Sequence, residues 1–139
     1  MKANEITALV VENASRFGDR NPQQVKYLTS RFRDVEETAV AHGLLRVFTE
    51  GAGPPEGSAA QELAGQLLEA LCPKSSLELS EILSAALSRY ELSVEQFPLY
   101  LALTFGKWQM LAELDRLENA MQLEAEYRAI QTMKFWLRG

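Results

Sequence analysis

The residues that could do chemistry in this chain are few. Cys72 and His42 are its sole cysteine and sole histidine among 139 residues. A nucleophilic thiol needs a depressed pKa, which helix N-termini and neighbouring cations supply. Cys72 instead stands between Leu71 and Pro73, where a helix ends, so the plain expectation is a small buried thiol. One cysteine and one histidine do not make a zinc site, and the Glu-x-x-His pattern of di-iron bundles does not occur. No metal and no cofactor are therefore expected. Carboxylates do occur in groups: Glu36 with Glu37, Glu78 with Glu81, and Asp115 with Glu118. Pairs three residues apart share a helix face and could serve as acid and base, but such pairs are far more often solvated surface charge.

Gly53-Pro54-Pro55-Glu56-Gly57-Ser58 has the glycines of a phosphate loop without its lysine, and a helix rather than a strand precedes it. A phosphate cradle needs both, so the segment reads as a connector. The sequence offers no spacing that demands an enzyme. A ligand site near His42 is the enzymatic alternative.

Charge is more informative. The formal net charge is −5, which disfavours nucleic acid as a partner for the molecule as a whole. Between Arg20 and Arg33 lie four cations (Arg20, Lys26, Arg31, Arg33) and no acid, with Tyr27 and Phe32 interleaved. Cations among aromatic residues are what single-strand binding would use, so this stretch carries the nucleic-acid alternative. Between Glu56 and Glu95 seven glutamates face only Lys74 and Arg89. Of these, Glu56, Glu62, Glu69, Glu78, Glu81 and Glu95 are the candidate contacts to a basic protein surface, because complementary potential raises association rate and specificity. Phe135 and Trp136, adjacent near the end of an aromatic-rich final third, cannot both face one core. They are candidate partner or homodimer anchors.

The elements that position these residues read as helices throughout. Ser58 with Gln61, Ser75 with Glu78, and Ser93 with Gln96 each have the spacing of a capping box. There a serine oxygen accepts from a free backbone N–H while the later side chain reaches back. Asn21-Pro22 is a capping residue followed by proline at the first helical position. Gly18 is placed to stop the first helix in the left-handed region, and Gly43 marks close helix packing. The proline-free run from Gln23 to Thr49 divides near Arg33 to Glu37. In the last part Trp108, Leu111, Leu114 and Leu117 form one apolar stripe, and Leu123, Tyr127, Ile130 and Leu137 another, with a turn at Asn119 to Gln122.

Helix starts thus fall near residues 4, 21, 38, 58, 75, 93 and 107, with an eighth near 122, and no alternating run is long enough for a strand. The expectation is one all-α domain over 1–139, a compact array of seven or eight short helices. The Gly51–Gly57 loop joins the half at 2–50 to the half at 58–138. Bundle and short helical-hairpin solenoid remain open. Aligning Pro73 with the closing proline of a tetratricopeptide unit sets Gly65 and Gln61 at positions where that consensus has apolar residues, so the likeness ends at spacing. Neither a signal-peptide core nor a membrane-length apolar run is visible, and the single cysteine suits a reducing compartment, so the expected location is cytoplasmic. Together these readings favour a small acidic helical module that binds a protein partner without catalysis. One version is a cognate inhibitor of a basic toxin or nuclease, and another is self-association.

Overall fold

A computed structural model describes residues 1–18, 20–120 and 123–138. Among them there are eight helices and no strand: α1 (Ala3–Phe17), α2 (Pro22–Phe32), α3 (Glu37–Thr49), α4 (Ser58–Leu71), α5 (Leu79–Ala86), α6 (Gln96–Phe105), α7 (Lys107–Ala120) and α8 (Glu124–Arg138). The all-α expectation holds. Met121 and Gln122, on which part of the expected α7–α8 turn falls, lie outside the described residues.

Each helix packs on the one two places along the chain: α1 on α3, α2 on α4, α3 on α5, α4 on α6, α5 on α7 and α6 on α8. Odd and even helices therefore make two layers, and one buried cluster draws on all eight. Successive helices also pack on one another at α3–α4, α6–α7 and α7–α8, so the eight form one compact array. Contacts of α4 with α1 and α3 close the two layers on each other.

Two glycines set the spacing within the layers. A Cβ at Gly43 would stand 2.6 Å from Ile6 Cβ and 2.8 Å from the Ala3 carbonyl oxygen. The Thr7 hydroxyl donates to the Gly43 carbonyl at 2.7 Å, so α1 lies directly on the backbone of α3. A Cβ at Gly65 would stand 2.9 Å from Val94 Cγ1, which brings α4 equally close to the start of α6. Gly43→Ala is expected to destabilise the fold by about 1–3 kcal/mol, despite the ~1 kcal/mol that alanine gains in helix propensity. Chemical denaturation checks this, and a stabilised variant would show that α1 can yield.

Local signals at the helix ends fared unevenly. The Asn21 side chain accepts from the Gln23 and Gln24 amides, with Pro22 at the first position, as expected. Gly18 has a positive φ of 75° but an extended ψ, so the chain leaves α1 straight rather than through the left-handed cap expected. None of the three capping boxes forms. Ser75 instead accepts from the Leu77 amide in a turn, and α5 starts only at Leu79. Ser58 and Ser93 are donors, both to the carboxylate of Glu91, at 3.0 and 2.9 Å. Gln61 is fully buried, donating to the Arg89 carbonyl at 2.7 Å and accepting from the Glu91 amide at 2.8 Å. The residues that look like local caps thus dock the N-terminus of α4 against the α5–α6 connection. A carboxylate there also meets the positive end of the α4 dipole.

Candidate functional site

The parallel run of α4 beside α6 leaves a groove on their exposed side. Glu62 stands near Ser93, whose hydroxyl donates to it at 3.2 Å. Gly65 meets Val94 and Gln96 in the middle. Beyond that point Leu68, Glu69 and Cys72 on α4 and Gln96, Leu99, Tyr100 and Leu103 on α6 line a pocket of about 150 Å³. Leu103 and Cys72 also border a second concavity with Pro73, Lys74 and Thr104.

Helix geometry aligns this surface. Glu95, Leu99 and Leu103 recur one turn apart on α6, and Glu62 and Glu69 recur two turns apart on α4. The result is an apolar strip edged by carboxylates. Leu103 is 77% exposed and Leu99 37%. The described residues thus leave Leu103 largely uncovered. Trp108, one helix start further on, is 79% exposed. The expected α7 stripe holds at Leu114, which is buried, and at Leu111 and Leu117, which pack against the core, but Trp108 faces out.

Of the six predicted acidic contacts, three flank this groove. Glu62 accepts from Ser93 where the groove begins, Glu95 stands at the N-cap of α6 one turn before Leu99, and Glu69 lies on the groove wall. Glu78 and Glu81 sit at the cap and first turn of α5, where a helix dipole favours acid. Glu56 belongs to a different concavity, against Val11 and Ala14 of α1. The acids therefore do not form one face.

The other candidates separate as well. Trp136 is half-buried and donates from Nε1 to the Leu92 carbonyl at 3.3 Å, while Phe135, in edge contact with it, is 67% exposed. Arg20, Lys26, Arg31 and Arg33 are all exposed along and beside α2. Arg31 donates to the hydroxyl of the exposed Tyr27 at 2.9 Å, whereas Phe32 is core. His42 is exposed on α3. Cys72 is exposed too, against the expectation of burial. Cys72 ends α4 in the left-handed region at φ 43°, and its side chain is exposed there. Among the described residues no three His, Cys, Asp or Glu side chains are grouped to hold a metal, and no helix is long and apolar enough to cross a membrane.

Two of the three carboxylate pairs have structural partners. Asp115 and Glu118 both accept from the nearly buried Lys134 ammonium, at 2.6 and 3.3 Å, which clamps α7 to α8. Glu37 accepts from the Lys74 amide at 3.0 Å, and Glu36 from the Thr38 hydroxyl.

Three titrating groups share one direction of shift. Burial raises the Tyr90 and Tyr100 phenols above their ordinary 10.0, and the hydrogen bond to Asp115 raises the Lys134 ammonium above 10.5. Groups with raised folded-state values bind protons more tightly when folded. Their stabilisation is complete below the unfolded values and is lost as pH rises through the folded ones. Stability is thus expected to be insensitive to these groups up to about pH 9 and to fall steeply above about pH 10. A pH series of thermal melts tests this, and a flat alkaline limb would contradict it.

Comparison with known proteins gives no match. No family model fits the chain, and no curated protein or solved structure is significantly similar to it.

Sequence reasoning missed Leu99, Leu103 and Glu91. For the two leucines a signal was present. From Phe97 to Phe105 nearly every residue is apolar, so α6 must show apolar surface on whichever side its neighbours leave open.

Proposed function

We propose that this chain is a non-enzymatic protein-binding module of the cytoplasm that docks a basic, partly apolar segment of a protein partner along the α4–α6 groove. The observation that carries this reading is the strip formed by Leu99 and Leu103, edged by Glu62, Glu69 and Glu95. An apolar core with a charged rim is the usual anatomy of an interface. The carboxylate rim would steer a cationic partner and fix its register, while the leucines would supply desolvation. A cognate inhibitor of a basic protein is one form that such a module would take.

Affinity capture from native lysate, at low and moderate salt, tests the proposal through variants. The parent protein is expected to retain a stoichiometric, salt-sensitive protein partner. Glu69→Lys/Glu95→Lys and Leu103→Asp should each lower its recovery by about tenfold or more, and Lys26→Glu/Arg31→Glu should not lower it. Equal capture by all variants, or loss only with the α2 variant, would overturn the assignment.

A further inference from the structure

Exposed charges of opposite sign stand on α2 and along the groove. Among the described residues the ion pairs join Arg16 to Glu12, Arg46 to Glu50, Arg116 to Glu113, Arg128 to Glu124, and Lys134 to Asp115 and Glu118. None involves Arg20, Lys26, Arg31 or Arg33, and none involves Glu69 or Glu95. One set lies along α2 and the other along the groove.

The shapes correspond too. Because α2 buries Gln24, Leu28, Thr29 and Phe32, it turns Gln23, Lys26, Tyr27, Ser30 and Arg31 outward. That outer face is an exposed aromatic ring bracketed by cations one turn apart, with no carboxylate between Arg20 and Arg33. At 1.5 Å per residue, the eleven residues of α2 span roughly 16 Å, and the groove from Glu62 to Cys72 spans roughly 15 Å. Within one molecule the two cannot meet. The inner face of α2 is already fixed on α4, and its end lies by Leu71 and Pro73.

We propose that the α4–α6 groove of one copy receives α2 of a second copy. Tyr27 lies on Leu99 and Leu103, and Lys26 and Arg31 reach Glu69 and Glu95. The proposal rests on reading the groove as a docking site and adds a second occupant, so self-docking competes with the partner as concentration rises.

Sedimentation velocity over a concentration series, at low and moderate salt, tests it with exposed-residue variants. The parent should self-associate at low salt and dissociate as salt is added, since screening sets in within about 10 Å. Lys26→Glu/Arg31→Glu and Glu69→Lys/Glu95→Lys should each weaken association by about tenfold or more. Mixing the two variants, or combining all four changes in one chain, should restore it, because the reversed charges again face each other. A parent that stays monomeric at high concentration and low salt overturns self-docking, as does either variant associating like the parent or failure of the mixture to recover. If the parent is monomeric while capture of another protein still depends on Glu69 and Glu95, self-docking alone fails and the module stands. If a fluorescent single-stranded oligonucleotide binds the monomeric parent but not Lys26→Glu/Arg31→Glu, the α2 face serves nucleic acid and the proposal is wrong.

Discussion

Phe97→Ala is expected to lower the stability of the protein by about 3–5 kcal/mol, the cost of emptying a large aromatic site. Phe97 is fully buried, its ring stacked on Phe48 at a centroid distance of 4.1 Å and tilted against Tyr90 at 5.8 Å. It thus joins α6 to α3 and to the α5–α6 connection at one point. Stacked rings contribute beyond the area they bury, and removing the shared ring weakens both contacts. A domain of this size has a total stability of about 5–15 kcal/mol, so the variant would forfeit a large fraction of it. Urea unfolding reads the loss directly. A change under about 1 kcal/mol would mean that the neighbours collapse into the space, and that α6 is held chiefly elsewhere.

The second large effect is expected at Gln61, and its cause is polar. Leucine has a similar volume there, but it would strand the Arg89 carbonyl and the Glu91 amide, both now bonded to the Gln61 side chain. Each buried group left unsatisfied costs about 1–3 kcal/mol, so Gln61→Leu should lose about 2–6 kcal/mol even though it makes the core more apolar. Ser58→Ala offers a contrast, since it removes one of two hydroxyl donors to a half-exposed Glu91 and should cost less. Equal losses at the two positions would indicate that Ser58 acts as the helix cap its spacing suggested. A neutral Gln61→Leu would remove the amide from its place at the centre of the α4 junction.

These two residues also show how far the sequence could be read. Helix number and most helix starts were legible because apolar periodicity, Asn21-Pro22 and the Gly51–Gly57 break are local signals. Ser58, Gln61 and Ser93 were misread for a physical reason. A serine hydroxyl donates as readily as it accepts, and Glu91, 33 residues from Ser58, competes for it. Local spacing contains no trace of that competitor. Trp108 failed differently. Leu111, Leu114 and Leu117 of its stripe do turn inward, but Trp108 stands in the first turn of α7, where its neighbours leave it exposed. The acidic residues failed for the same reason. Their excess was plain in the sequence, but only the parallel packing of α4 on α6 separates Glu62, Glu69 and Glu95 from Glu56, Glu78 and Glu81. Cys72 was misplaced because it ends α4 in the left-handed region, a conformation uncommon for a residue other than glycine and not signalled by its neighbours.

Hydrogen–deuterium exchange on the protein, alone and with its captured partner, tests the groove assignment most directly. Slowed exchange is expected along residues 62–72 and 95–104, diminished when Glu69→Lys/Glu95→Lys replaces the parent. Protection along α2 or the outer face of α8, with α4 and α6 unchanged, would contradict it.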